Sequence, residues 1–263
     1  MAYDFKYEVA EGIATVIFSR PDKLNAITFE IYAQFRDLLE ALRYDDAVKV
    51  LVLTGEGRAF SSGGDVYEII GELFKRDVKG LLDFTRMTGA VVRNMRLLDK
   101  PIIAALNGTT AGAGAVIALA ADFRIMADSA KFHFLFTKVG LTGADMGAAY
   151  LLPRIVGAGR AMEILMFGDP VDAATAERIG LANRTVAREA LMPTVYDWAK
   201  RLARGPSLAL SMTKHMVNNE ANMDLIAAIE QEAQAQALML QSQDHREFFE
   251  AFNEKREPEF KGR

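Results

Sequence analysis

Residues 100–122, Lys-Pro-Ile-Ile-Ala-Ala-Leu-Asn-Gly-Thr-Thr-Ala-Gly-Ala-Gly-Ala-Val-Ile-Ala-Leu-Ala-Ala-Asp, offer chemistry through the backbone rather than through side chains. Ile102 to Leu106 is an apolar run that predicts a buried strand, and Asn107-Gly108 marks a turn. Residues 111–121 are small, apolar and continuous, which suits a buried helix. Ala111-Gly112-Ala113-Gly114 falls where that helix begins. The first amides of a helix have no intrahelical acceptor, so they can point at an anionic oxygen. Small residues there let a ligand approach the main chain. Tight helix packing in a core accounts for the same small residues equally well on local pattern alone. The three histidines, His133, His215 and His245, are far apart and not in a metal-binding spacing, so no metal site is expected. The absence of cysteine excludes disulfides and thiolate metal sites.

The elements that must position these amides follow from periodicity. Residues 3–19 alternate in hairpin style around Glu11-Gly12. Arg20-Pro21-Asp22-Lys23-Leu24-Asn25-Ala26 is a loop, and Thr28 is an N-cap for a helix over 29–44. Residues 48–54 form a mostly apolar strand, covered on both faces. A turn at 55–58 leads to Ala59-Phe60-Ser61-Ser62-Gly63-Gly64-Asp65. Residues 66–98 have helical spacing with a weak break at 77–80. Strands are predicted over 123–127, 131–136 and 183–186, helices over 148–156, 159–166, 172–178 and 191–204, and a glycine-rich loop over 139–147. Gly205-Pro206 breaks the last of these helices, and residues 207–252 are helical in pattern. Strands alternate with helices to about residue 187 and helices alone follow, an order that argues α/β with a helical C-terminal region.

Composition narrows the classes. The 263 residues suit one large domain or a domain with an appendage, and 51% of them are hydrophobic, enough for a sizeable core. The net charge of −4 argues against nucleic acid as a main partner. The opening residues lack the apolar stretch of a signal peptide. No apolar run approaches the roughly 20 residues that cross a bilayer. A cytoplasmic protein without a membrane partner is the expectation.

Several ordered motifs together resemble the enoyl-CoA hydratase/isomerase (crotonase) superfamily. They are Arg20-Pro21-(x3)-Asn25-Ala26, Gly57-(x)-Ala59-Phe60-Ser61-Ser62-Gly63-Gly64-Asp65, Lys100-Pro101 through Asn107-Gly108, and Ala121-Asp122-Phe123-Arg124-Ile125. Leu152-Pro153-Arg154-Ile155-Val156-Gly157, Ala173-Ala174-Thr175-Ala176 leading into Gly180-Leu181-Ala182-Asn183, and Phe252-(x2)-Lys255-Arg256 extend the likeness over nearly the whole chain. The resemblance implies an α/β core over residues 1–205, a spiral of ββα units, and a C-terminal helical region over 206–263 that trimerises. Homotrimers or hexamers built as dimers of trimers would result. The ligand implied is an acyl-CoA thioester, with no cofactor beyond its coenzyme A moiety.

By motif position the resemblance places the two amides that polarise the thioester carbonyl on Ser62 and Ala113. Family members commonly carry glycine at the second position, and alanine still donates its N–H. Coenzyme A is expected along Lys23 to Ala26 and along Ser61, Gly63, Gly64 and Asp65. Phe252 and Lys255, from this subunit or a neighbour, are expected to close over the adenine and phosphates, since an ammonium suits a phosphate.

Hydratases of this family use two glutamates. Here the corresponding positions hold Val116 and Phe136 or its neighbours, and Glu72 is the only glutamate between Ile69 and Tyr150. Neither valine nor phenylalanine can move a proton, so hydration by the usual carboxylate pair is not expected. Asp145, eight residues before Pro153, stands where some members place an aspartate that handles a carbon-bound proton or attacks an aromatic ring. In an apolar pocket its pKa would rise. A cap on the helix near Ala148 is the plainer explanation of the same residue. His133 reads as a structural hydrogen bonder, and Tyr67, Glu68 and Arg86 as helix surface that could reach the acyl pocket. Phe136 hints at an apolar or aromatic acyl group. The expectation is therefore an isomerase, or an atypical hydratase or lyase, with Asp145 as acid/base. The alternatives are an Asp145-nucleophile hydrolase or dehalogenase of an aryl- or cyclic acyl-CoA, and a non-catalytic acyl-CoA-binding protein. The dehalogenase branch needs a histidine on the helix before Lys100, which this chain lacks.

Overall fold

Turn chemistry and buried strands set the frame. The computed structural model describes residues 3–263; Met1 and Ala2, the first residues of the expected core unit, lie outside it. Strand β1 (Lys6–Ala10) turns at Glu11-Gly12, both at positive φ, into an antiparallel β2 (Ile13–Phe18). Helix α1 (Phe29–Leu42) starts where the Thr28 hydroxyl oxygen accepts the Ile31 amide at 3.3 Å. It buries Ile31, Phe35, Leu38, Leu39 and Leu42, one helical face, and each such burial is worth about 1.5–3 kcal/mol.

Three units then repeat a two-strand, one-helix plan. Strands β3 (Val50–Gly55) and β4 (Ala59–Ser61) precede a π-helical turn (Val66–Ile70), the short α2 (Gly71–Leu73) and α3 (Val78–Leu97). Strands β5 (Ile102–Leu106) and β6 (Thr109–Ala111) precede α4 (Ala113–Ala120). Strands β7 (Phe123–Ala127) and β8 (Lys131–His133) precede a 3-10 turn, α5 (Ala148–Val156) and α6 (Ala158–Phe167). The first strand of each unit joins a six-stranded sheet, ordered β1-β2-β3-β5-β7-β10, and the second joins a four-stranded sheet, ordered β4-β6-β8-β9. Within the repeats neighbouring strands are parallel. Successive units therefore advance by one strand in each sheet, which is the spiral of ββα units. Strand β9 (Val171–Asp172), α7 (Ala173–Arg178), β10 (Arg184–Val186) and α8 (Leu191–Arg204) close the core.

Two local readings of the sequence needed correction. The helix expected from Ala111 begins at Ala113, because residues 109–111 are strand β6, paired on both sides. Gly112, at φ 51° and ψ −126°, makes the turn between them in a conformation that only glycine takes readily. The strand expected over 131–136 stops at His133, since β9 offers it only Val171 and Asp172, and residues 135–139 coil into a 3-10 turn. Phe132 and Phe134 still stack in the core, with ring centroids 5.9 Å apart.

Two motifs are explained by buried cations. The Arg124 guanidinium donates to the carbonyls of Leu181 (2.6 Å) and Ala121 (2.7 Å), tying β7 to the segment before β10, and burial lowers its pKa to about 10. After Gly205-Pro206 come α9 (Ser207–Glu220), α10 (Leu225–Met239) and α11 (Gln243–Glu254). The buried Lys214 of α9 pairs with Asp122 at 2.8 Å and donates to the carbonyls of Met95 and Lys100. No helix among the described residues is long and apolar enough to cross a membrane.

Candidate active site

The site begins with the loop after β2. Leu24 and Asn25 both take positive φ, and the Asn25 side chain fixes the turn. Its Oδ1 accepts the Arg20 amide at 2.9 Å, and its Nδ2 donates to the carbonyls of Glu56 (2.9 Å) and Ala59 (2.7 Å). Asparagine tolerates this left-handed geometry better than most residues. The turn aims the Leu24 carbonyl at the loop after β4, where it accepts the Ser62 amide at 2.9 Å.

That contact corrects one expectation. The Ser62 amide is already engaged, so it is not the free donor. Along this loop the Gly63 amide donates to Ser61 Oγ (3.1 Å) and the Asp65 amide to the Ile27 carbonyl (3.0 Å). The Gly64 amide alone among these has no acceptor among the described residues. The other expected donor, Ala113, is the first residue of α4, and its N-cap Gly112 brings no capping side chain. The two segments touch, because a Cβ placed on Gly63 would lie 3.1 Å from the Ala113 nitrogen. Gly64 and Ala113 thus present two backbone donors where a half-buried loop meets a helix N-terminus.

Several residues expected along coenzyme A prove to be scaffold. Ser61 is fully buried and donates to the Asn25 carbonyl at 2.8 Å. Ala26 is buried and its carbonyl accepts from Arg20 at 2.8 Å. Asp65 is buried; its Oδ1 accepts the Tyr67 and Glu68 amides and its Oδ2 lies 3.2 Å from Arg20. Burial raises the Asp65 pKa, but those two amides and the Arg20 charge outweigh it and hold the carboxyl below its ordinary value. Asp65 therefore clamps the π-helical turn. Arg20 also pairs with Glu68 at 2.7 Å, so Glu68 is engaged too. Lys23 is exposed at the rim. Phe252 is 72% exposed and Lys255 caps the end of α11 at φ 58°; neither is hydrogen-bonded to the loop bearing Lys23 among the described residues.

Asp145 lies in the loop before α5. Its Oδ1 accepts the Met146 amide at 2.9 Å, while its main-chain carbonyl accepts the Ala148 amide at 2.8 Å. The N-cap of α5 is Gly147, with no side-chain hydrogen bond, so the Asp145 carboxylate does not cap that helix. The side chain is half-buried; burial pushes its pKa up, and the Met146 amide only partly opposes this. Helix α5 packs on α4, the helix that starts at Ala113. On the other side stands Tyr32 of α1, a buried phenol whose pKa is pushed up by burial and further by the nearby Asp145 charge. Sequence reasoning did not single out Tyr32, because on α1 it falls on the apolar stripe and reads as core.

The other candidates fall away. Val116 is fully buried and Phe136 nearly so, and Glu72 is exposed and paired with Lys75. His133 is half-exposed; burial lowers its pKa first, and its charged neighbours are Lys138, Asp169 and Lys131 rather than Asp145. Tyr67 and Arg86 lie exposed on the surface.

An open pair of amides at a loop-helix junction, inside a spiral of ββα units, defines a scaffold able to stabilise an oxyanion. Over residues 8–263 the chain matches the model of the enoyl-CoA hydratase/isomerase family, and it belongs to that family. It is 35% identical to 1,2-epoxyphenylacetyl-CoA isomerase of Escherichia coli (strain K12) over 255 residues, 97% of each chain. It is 34% identical to crotonyl-CoA hydratase of Syntrophomonas wolfei over 264 residues, 99% of each. A crystal structure from Streptomyces coelicolor A3(2), described as a candidate enoyl-CoA hydratase, superposes with a TM-score of 0.97 at 54% identity, covering 98% of this chain and 94% of that one. The protein is thus an enzyme of the hydratase/isomerase family.

Proposed function

We propose that the protein isomerises an acyl-CoA thioester with an apolar or aromatic acyl group. The observation that carries this reading is Asp145, a half-buried carboxyl with a raised pKa, while by the family resemblance the two glutamate positions fall on Val116 and on Phe136 or its neighbours. Gly64 and Ala113 donate to the thioester oxygen. The Asp145 carboxylate takes a carbon-bound proton, and the electron pair moves into the carbonyl, whose oxygen becomes the enolate held by the two amides. The same carboxylic acid, its proton exchangeable with water, then protonates another carbon of the conjugated system, so the double bond shifts with no net gain of atoms. A raised pKa brings a carboxyl nearer to neutral, where it exchanges protons more readily.

The isomerase name of the Escherichia coli relative agrees with this reading. Lys23 at the rim, with Phe252 and Lys255 supplied within a homotrimer or a dimer of trimers, would hold the nucleotide end of coenzyme A. The test is a panel of aliphatic and aromatic acyl-CoA thioesters, screened by mass spectrometry and NMR for a moved double bond and for deuterium uptake from D2O. Substrate turnover without either change overturns the proposal. A single turnover in 18O-labelled water that places label in Asp145 would instead establish the nucleophilic route.

A further inference from the structure

Ser61 entered the sequence reading as a contact for coenzyme A, yet it is fully buried and no ligand can touch its side chain. We propose that Ser61 is a positioning residue: its hydroxyl sets the direction of the Gly64 amide and the gap between that amide and Ala113. The inference rests on the oxyanion reading of those two amides given above.

Direction comes first. The hydroxyl has one proton, and the 2.8 Å contact to the Asn25 carbonyl uses it. Its lone pair therefore faces the Gly63 amide, which donates at 3.1 Å. The next peptide plane carries the Gly64 N–H. In a trans peptide the N–H points opposite to the preceding carbonyl. That carbonyl, of Gly63, accepts the Ile27 amide at 2.8 Å, so the Gly64 N–H points away from Ile27. Gly63 sits at φ 93°, and consecutive glycines leave this plane free to turn. Two anchors stop it: Ile27 on the carbonyl side and Ser61 on the amide side.

Spacing comes second. The start of α4 rests on the same serine. A Cβ on Gly114 would lie 2.7 Å from Ser61 Cβ and 2.8 Å from the Ser61 carbonyl oxygen. The body of Ser61 therefore acts as a spacer between the loop that bears Gly64 and the helix that bears Ala113. One side chain thus holds both the angle and the separation of the two donors, without touching the substrate.

The test uses the full-length protein and cinnamoyl-CoA carrying 13C at the thioester carbonyl. Difference infrared spectroscopy reads the shift of the labelled carbonyl stretch on binding. The wild type is expected to show a clear downshift. Ser61→Ala is expected to lose half of that shift or more while its Kd changes less than about threefold, because binding of the coenzyme A moiety does not involve Ser61. Ser61→Cys keeps nearly the volume but weakens the hydrogen bonds, and it is expected to fall on the same side; it carries the test if the alanine variant does not fold. A folded variant of either kind that melts earlier yet polarises the carbonyl as the wild type does overturns the inference, since Ser61 would then be structural only. A wild type that shows no downshift overturns the oxyanion reading itself, so the two failures are distinct.

Discussion

Asp145→Asn isolates the proposed chemistry with little collateral damage. Asparagine keeps an Oδ1 able to accept the Met146 amide, now at 2.9 Å, and the main-chain carbonyl still holds the Ala148 amide. The loop therefore keeps its shape, and only proton transfer is lost. A positioned acid/base is worth about 10²–10⁴ in rate, or about 2.7–5.5 kcal/mol of transition-state stabilisation. The variant should lose that factor in kcat, with affinity for a non-reacting acyl-CoA unchanged within about twofold. Stability moves the other way. The raised pKa means that the folded state favours the protonated carboxyl. Its stabilising contribution is full below the ordinary aspartate value of about 3.9 and is lost as pH rises through the folded pKa. At neutral pH the wild type thus carries an unfavourable buried charge, and the variant should melt at a higher temperature. In the proposed mechanism the working form is the carboxylate, so kcat should fall with acid, with a midpoint above the ordinary aspartate value. The assays are deuterium exchange into the acyl chain, isothermal titration and thermal melts at several pH values. A variant that keeps more than about a tenth of wild-type exchange would refute Asp145 as the acid/base.

Other substitutions probe the frame. Gly114→Ala drives a Cβ to 2.7 Å from Ser61 Cβ and should cost about 1–3 kcal/mol in stability, with a loss of exchange activity of about 10² or more as the donors move apart; denaturation and kinetics check both. Asp122→Ala strands the buried Lys214 ammonium and should cost about 3–5 kcal/mol in urea unfolding. Val116→Glu places a carboxyl at a fully buried position without its partner glutamate; it should lower the melting temperature and give no measurable hydration of crotonyl-CoA.

The sequence made the architecture readable because its signals were local. Apolar runs at Ile102–Leu106 and Phe123–Ala127 became β5 and β7 with those bounds, and Thr28 does cap α1. The three-residue β6 was not legible, because Thr109–Ala111 has no periodicity of its own and is a strand only through β4 and β8. The same limit applies inside the site. Ser62, Gly63 and Gly64 are adjacent small residues, and nothing in their types shows which amide lacks an acceptor. That is decided by Leu24, whose positive φ turns its carbonyl toward Ser62 from 38 residues away in the chain. Asp65 and Ser61 misled for a related reason. A polar residue beside a binding loop looks like a ligand contact until its partners, Arg20 and Asn25, are seen to engage it.

Losing the glutamate pair narrows what the site can do. Adding water across a double bond asks for two groups at once, one to take a proton from the water and one to give a proton to carbon. A proton shift along one acyl chain asks for a single group that takes one proton and then gives one back, exchanging with water between the two steps, because the steps are sequential. Under the proposed reading Asp145 serves the second task, and Val116 and Phe136, both buried and without a titratable group, offer nothing for the first. The proposed oxyanion donors would serve both reactions alike, since both pass through negative charge on the thioester oxygen. In the proposed mechanism the backbone donors would serve either activity, and side chains beyond them would select between the two. If this division holds, replacing scaffold residues such as Ser61 or Gly114 should weaken every acyl-CoA reaction the protein performs, whereas replacing Asp145 should abolish proton transfer and leave thioester polarisation intact.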